Sequence, residues 1–187
     1  MAHELILGGQ KSGKSRCAEG RAAAWLAAAP GRSAVLLATA LAGDDEMRQR
    51  IASHRLERAA RVPSMSTVEV PHALALAVGE HAAADRLLVV DCLTLWLTQC
   101  LMPLHGAGVT GDELRRLVDD LQSAIARSPG PVVCVSNEIG LGLSPMTRET
   151  RRFVDELGRL HQALAAQCDH VTWMVAGIEC PIKRNAA

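Results

Sequence analysis

The stretch Leu5-Ile6-Leu7-Gly8-Gly9-Gln10-Lys11-Ser12-Gly13-Lys14-Ser15 decides how the rest of the chain is read. Its last eight residues fit G-x-x-x-x-G-K-[ST], and they stand where that pattern needs to stand, after an apolar strand and before an Ala-rich helix. The glycines let backbone N–H groups converge on phosphate oxygens, and the helix N-terminus adds partial positive charge. Lys14 reaches the terminal phosphates and the Ser15 hydroxyl ligates Mg²⁺. The alternative is a chance glycine turn. With 15 glycines in 187 residues and lysine only at positions 11, 14 and 183, multiplied frequencies predict roughly two such matches per thousand chains. Two of the three lysines lie in this one loop. Gly8, Gly9, Gln10, Lys11, Ser12, Gly13, Lys14 and Ser15 are therefore read as contacts to nucleotide phosphates.

Outward from this loop, strand-length apolar runs alternate with helical periodicity to the end of the chain, with no linker, repeat or low-complexity tract. Candidate strands are His3–Gly8, Ser33–Thr39, Ser66–Val70, Arg86–Asp91, Pro131–Ser136 and His170–Ala176. Most are continuously apolar, as strands covered by helices on both faces should be. Helices are expected over about 14–29, 44–61, 72–84, 92–104, 111–127 and 147–167; Phe153, Leu157, Leu160 and Leu164 in the last share one face. The pattern predicts an α/β fold with a mainly parallel sheet flanked by helices on both faces, as in P-loop nucleotide-binding domains. In such sheets ligands bind at the carboxyl ends of the strands. The loops after strands one, two, four and five are the places to look for chemistry.

Composition narrows the function. The chain has 20 basic and 20 acidic side chains, 49% apolar and 21% charged residues, which suits one compact domain over residues 1–187. One Phe, three Trp and no Tyr make the core aliphatic. Zero formal net charge gives no field for a polyanion, and so few aromatics cannot supply a row of stacking platforms. A nucleic-acid partner is not expected. The six cysteines show no C-x-x-C pair or zinc spacing and are read as reduced, mostly buried thiols. The start Met1-Ala2-His3-Glu4 lacks signal-peptide features, and the most apolar run, Leu87 to Leu101, is too short and too polar to span a bilayer. The expectation is a cytoplasmic protein without a membrane span.

A phosphate loop needs a second acid for the metal, and Asp91 ends the run Leu87-Leu88-Val89-Val90 as such an acid does. An uncompensated carboxylate at the end of a buried strand is costly, and Mg²⁺ removes that cost. The other reading of Asp91 is a helix N-cap. No lysine stands in an Asn-Lys-x-Asp context, so a signalling GTPase is excluded; H-R-D and D-F-G are absent too. A small-molecule phosphoryl or nucleotidyl transferase remains. Asn137-Glu138 closes the fifth strand, and Gly140 and Gly142 let the following loop bend toward a substrate, unless that loop is a structural turn.

With these motifs in place, the chain resembles the bifunctional adenosylcobinamide kinase / adenosylcobinamide-phosphate guanylyltransferases of cobalamin biosynthesis. The resemblance runs over nearly the whole sequence. It rests on Gly8-Gly9 with Ser12-Gly13-Lys14-Ser15-Arg16, Ala38-Thr39, Asp44-Asp45-Glu46-Met47, Arg50-Ile51 leading to His54, Thr67-Val68-Glu69, Asp91-Cys92-Leu93-Thr94-Leu95-Trp96-Leu97-Thr98, Asn137-Glu138-Ile139-Gly140-Leu141-Gly142 with Pro145, and Arg152-Phe153 with Asp155 and Gly158.

The resemblance implies two reactions at one nucleotide site. The γ-phosphate of ATP or GTP passes to the aminopropanol hydroxyl of adenosylcobinamide. GTP then gives its GMP unit to a histidine, releasing pyrophosphate, and the cobinamide phosphate takes the GMP to form adenosylcobinamide-GDP. By motif position the histidine is His54, with Lys14 as its catalytic companion. An imidazole, with an ordinary pKa of about 6.5, is largely neutral at cytoplasmic pH and can attack an α-phosphate whose charge is offset. Read without the resemblance, His54 could simply share a packed helical face with Met47 and Ile51.

The resemblance further implies nucleotide contacts at Ala38, Thr39, Ala40, Arg55, Leu56, Glu57, Arg58, Glu69 and Asp91, Mg²⁺ on Ser15 and Asp91, and a homotrimer with its sites at subunit boundaries. The plain readings of Arg55 and Arg58 as a solvated helix face, and of Glu69 as an exposed strand residue, stay open. The chain departs from the family pattern at Ala40, where a hydroxyl is common, at Gln99 and His161, where Asn is common, and at Leu56-Glu57. Rival functions are a single-activity guanylyltransferase and a non-catalytic P-loop assembly factor.

Overall fold

The structure, a computed structural model, describes residues 3–184. Its elements run β1 (Glu4–Gly8), α1 (Lys14–Ala28), β2 (Ser33–Ala38), α2 (Asp45–Arg61), β3 (Met65–Glu69), α3 (Leu74–His81), β4 (Arg86–Asp91), α4 (Leu93–Leu101), α5 (Gly111–Arg127), β5 (Val132–Asn137), α6 (Arg148–Gln167), β6 (His170–Val175) and β7 (Ile178–Arg184). All seven strands join one sheet in the order β3-β2-β4-β5-β1-β6-β7. The first six are parallel, as their apolar runs predict.

Two apolar layers pack against this sheet. On one face Leu5, Leu7, Leu37, Leu88, Val90 and Cys134 meet α3, α4, α5 and α6 through Trp96, Leu121, Ile125, Leu157 and Leu160. On the other face Ile6, Leu36, Val89, Val133 and Val135 meet Cys17, Ala18 and Ala22 of α1, small side chains that let the helix lie close to the strands. The strands alternate between the two layers residue by residue, as the twofold side-chain repeat of a strand demands. Trp96 is core, with its indole N–H donated to the His72 carbonyl at 3.2 Å. Of the six cysteines, five are buried and Cys180 is exposed; all are free thiols.

Helix starts follow the sequence chemistry. Asp44 accepts from the Met47 N–H, Thr147 accepts from Thr150, and Thr110 with Glu113 forms a capping box at α5. The helix expected over 92–104 stops at Leu101, because Pro103 disfavours helical geometry at Met102. The helix expected over 72–84 is shorter at both ends. A larger difference is β7, which sequence reading does not contain. It pairs antiparallel with β6 through the turn at Ala176-Gly177. Its residues Ile178-Glu179-Cys180-Pro181-Ile182-Lys183-Arg184 are nearly all exposed, so no period-two pattern marks it, and Pro181 is tolerated because the strand lies at the sheet edge. Among the described residues, no helix is long and apolar enough to cross a membrane.

Candidate active site

The carboxyl ends of β1, β2, β4 and β5 open onto one edge of the sheet, and the phosphate loop lies at its centre. Gly8 has φ +154° and a Cβ there would stand 2.5 Å from the Met174 carbonyl and 2.7 Å from Ser12 Oγ, so only glycine fits. Gly13, at φ +100°, precedes α1 and lies close against Gly177; that hairpin glycine also donates its N–H to the Ser12 carbonyl at 3.0 Å. The helix carries no acidic residue in its first turn and no side-chain cap, leaving its first N–H groups aimed at the loop for an anion. The Lys14 side chain is folded over this concavity, with Nζ donating to the Gly9 carbonyl at 2.6 Å and contacting Ser12 Oγ at 3.4 Å. Burial pushes its ammonium below the ordinary pKa; the Cys92 and Asp91 side chains oppose that shift and Arg50 adds to it.

Asp91 ends β4, two strands across from β1, with β5 between them. It is not a helix cap: Cys92 occupies the cap position of α4 and makes no side-chain cap bond. The Asp91–Cys92 peptide is cis. Thr39 clamps the next residue, its buried hydroxyl donating to the Cys92 carbonyl at 2.7 Å and accepting from the Cys92 N–H at 2.9 Å. That hydroxyl is therefore spent on the fold; Ala38 and Ala40, half-buried on either side, bring only backbone to the edge. Ser15 in the first turn of α1 and Asp91 at the end of β4 are hard oxygen donors. No group of three or more His, Cys, Asp or Glu side chains that could hold a metal occurs among the described residues. A hydroxyl and one carboxylate, completed by phosphates and water, is the donor set that suits Mg²⁺.

Helix α2 is unlike the others, since none of its residues is buried. His54 thus does not share a packed face with Met47 and Ile51. The helix is held by ion pairs, Arg61 to the buried Glu19 of α1 at 2.6 Å and Arg55 to Glu69 on β3. Arg50, His54 and Arg58 follow one another at four-residue spacing and form one stripe of the helix. Arg50 acts on Lys14, and Asp91 acts on Arg58. The ends of this stripe thus come within electrostatic reach of the phosphate loop and the β4 acid, and the exposed His54 stands between the two arginines along the helix. Burial holds the Arg58 guanidinium below its ordinary pKa, with Glu19 and Asp91 opposing.

Beside this stripe, Arg55, Arg58 and Glu69 line a cavity of about 240 Å³ with Ala59, Pro63, Met65 and Thr67. Leu56 points to solvent at 74% exposure, and Glu57 pairs with Arg61 one turn on at 2.9 Å. Neither is drawn toward the loop.

Sequence reading did not connect one further group. The Asn137 N–H donates to Thr94 Oγ1 at 2.7 Å, Thr94 Oγ1 lies 3.0 Å from Ser136 Oγ, and Ser136 Oγ lies 2.7 Å from His161 Nε2. His161 Nδ1 faces Glu138 Oε2 at 3.5 Å. Glu138 was placed at the fifth strand's end by sequence, and His161 stood out as a departure, but their partnership across 23 residues has no sequence signature.

A family model described as "Cobinamide kinase / cobinamide phosphate guanyltransferase" matches residues 4–182. The chain is 46% identical over 180 residues to the bifunctional adenosylcobalamin biosynthesis protein CobP of Pseudomonas aeruginosa, covering 96% of each chain. It is 36% identical over 187 residues to the bifunctional adenosylcobalamin biosynthesis protein CobU of Salmonella typhimurium, covering 96% of this chain and 98% of that protein. Among solved structures, the flagellar accessory protein FlaH of Methanocaldococcus jannaschii superposes with a TM-score of 0.53 at 13% identity, over 98% of this chain and 79% of that one. That likeness concerns the P-loop fold alone.

Proposed function

The chain belongs to the cobinamide kinase / cobinamide phosphate guanyltransferase family, and on that premise we propose that it performs both reactions of that name at the one site built around Lys14. In the first, the phosphate loop and the α1 N-terminus bind the triphosphate of ATP or GTP, and the aminopropanol hydroxyl of adenosylcobinamide attacks the γ-phosphorus. The nucleoside diphosphate leaves with the electron pair of the broken P–O bond. Lys14, released from the Gly9 carbonyl, turns to the terminal phosphates and stabilises the charge that develops there. Mg²⁺ held by Ser15 and Asp91 would offset phosphate charge in both reactions.

In the second, a ring nitrogen of His54 attacks the α-phosphorus of GTP. A P–N bond forms, the α–β P–O bond breaks, pyrophosphate leaves, and the imidazole sheds its surplus proton to water. A phosphate oxygen of adenosylcobinamide phosphate then attacks the same phosphorus, the P–N bond breaks onto the departing ring nitrogen, which takes a proton back from water, and adenosylcobinamide-GDP and the neutral imidazole result. Arg50 and Arg58 flank the imidazole and offer positive charge to the phosphates it must approach. Glu69, paired with Arg55 in the cavity lining, is an acceptor of the kind that pairs with the N1–H and amino group of guanine.

The observation that supports this reading is that His54 is exposed on a helix with no buried residue, one turn from Arg50 and one turn from Arg58, whose charges act with those of Lys14 and Asp91. The homotrimer is supported by the apolar side chains left bare at the same edge in the β5–α6 loop, Leu141, Leu143 and Met146 at 79, 99 and 96% exposure. The deciding experiment is incubation with GTP labelled in its α-phosphate. Acid-labile, base-stable label on the protein, absent in His54→Ala, is expected. An unlabelled wild-type protein that still binds GTP removes the guanylyl-histidine and favours an assembly factor; label without phosphorylation of adenosylcobinamide favours the single-activity transferase.

A further inference from the structure

The network behind β5 has a direction that can be worked out from its members. The Asn137 N–H can only donate, so Thr94 Oγ1 accepts from it. An ionised Glu138 can only accept, so the His161 nitrogen facing it, Nδ1, carries the hydrogen, and Nε2 must accept from the Ser136 hydroxyl. Ser136 in turn accepts from Thr94. Three hydrogen bonds thus pass donation one way, from the backbone of β5 to His161, whose Nδ1 faces the carboxylate at 3.5 Å. Ser136 is fully buried, Thr94 and His161 nearly so, whereas the Glu138 side chain is 19% exposed.

The carboxylate is fixed at its other oxygen as well, by the Gly140 N–H. A Cβ at Gly140 would come within 2.9 Å of that oxygen. The Glu138 N–H donates to the Gly8 carbonyl at 3.0 Å, so the acid is hinged to the first residue of the phosphate loop. The strand it follows, β5, lies between β1, which runs into the phosphate loop, and β4, which ends at Asp91. Three buried side chains lined up behind this carboxylate are more than a turn needs, since the Gly140 contact alone would close the loop.

We propose that Glu138 is the general base of the phosphorylation step and that His161 is its positioning residue. This rests on the kinase reading given above. The attacking hydroxyl loses its proton to Glu138 as its oxygen bonds to the γ-phosphorus, and the β–γ bond breaks onto the departing nucleoside diphosphate. His161 does not touch substrate; it aims the carboxylate and blocks its rotation toward the interior. Guanylylation of His54 needs no such base, because a neutral imidazole attacks through a lone pair.

The test measures ADP formation with ATP and adenosylcobinamide, alongside α-labelling by GTP, in the full chain. For Glu138→Gln the kinase kcat should fall by about 10²- to 10⁴-fold, with the KM for ATP and the labelling of His54 within a few fold of wild type. His161→Ala should lower kinase kcat by roughly tenfold or more without raising KM in proportion. His161→Asn, which keeps one donor and one acceptor, should recover most of that loss at an unchanged melting temperature. Kinase activity at the wild-type rate in Glu138→Gln, loss of labelling in parallel with kinase activity in a folded Glu138→Gln, or His161→Asn no better than His161→Ala would each overturn the assignment. Should Glu138→Gln not fold, Glu138→Asp decides: a retained carboxylate on a shorter stem must give intermediate kcat, and full kcat overturns the proposal. Wild-type protein that makes no ADP from this pair removes the kinase reading and the base with it, while a kinase indifferent to Glu138 removes only the base.

Discussion

Replacing Thr39 with valine keeps the shape of a fully buried side chain and deletes one hydroxyl. Two hydrogen bonds go with it, from the hydroxyl to the Cys92 carbonyl and from the Cys92 N–H to the hydroxyl. The two losses differ in kind. The carbonyl keeps the Trp96 N–H as a second donor at 3.1 Å and loses about 0.5–1.5 kcal/mol, whereas the N–H is left buried without a partner at about 1–3 kcal/mol. The sum is about 1.5–4.5 kcal/mol, a large share of an ordinary domain stability of about 5–15 kcal/mol. At roughly 2–4 °C per kcal/mol for a chain of this length, Thr39→Val should melt about 3–18 °C below wild type. Thr39→Ser keeps both bonds and gives up one methyl group, about 1 kcal/mol. Paired urea unfolding of the two variants checks the reasoning. It is refuted if valine proves as stable as serine, since the clamp would then contribute nothing beyond its volume.

Lys14→Ala should abolish adenosylcobinamide phosphorylation and His54 labelling together, read by product chromatography and by α-labelled GTP, because in the proposed mechanism one ammonium serves both triphosphate reactions. Arg21→Ala removes the bidentate partner of the buried Glu4 and also frees Glu179; with the guanidinium 35% exposed, the loss should be about 1–3 kcal/mol in denaturant unfolding. Burial lowers the His161 pKa, with Glu138 opposing, so its stability contribution has a definite sign. The unfolded chain protonates this residue first as pH falls through its ordinary value of about 6.5, and the folded chain resists. Stability is therefore present above that pH and lost on acidification toward the depressed folded value. His161→Asn should flatten the slope below about pH 6.5 by up to ~1.4 kcal/mol per pH unit, measured by unfolding free energies on acidification.

The parallel strands were legible because burial on both faces writes itself as runs such as Leu87-Leu88-Val89-Val90, and the phosphate loop because backbone geometry there tolerates so few residue types. β7 was not, since an exposed edge strand with a proline and three charges obeys no burial pattern. Asp91 had two readings in sequence, and only the position of α4's first turn separates them. Thr39 stands beside the site in sequence, yet its hydroxyl points to the fold, and a side-chain direction is not encoded in residue type. The Thr94–Ser136–His161–Glu138 network joins α4, β5 and α6; its members are distant along the chain and ordinary one by one. For His54 the motif supplies the proposal, and its exposure on α2, a helix with no buried residue, removes the packing explanation.

The phosphate loop is seated on the β6–β7 hairpin, through Met174 beneath Gly8 and Gly177 beneath Ser12 and Gly13. Its strand pairs only with β5 and β6. The segment proposed to grip nucleotide is therefore completed by residues that lie far along the chain from it. A chain interrupted before residue 170 would carry the whole loop sequence with neither its β6 partner nor its floor, and should be unable to sequester nucleotide. Such long-range closure slows folding, and in exchange it ties ligand capture to a finished molecule.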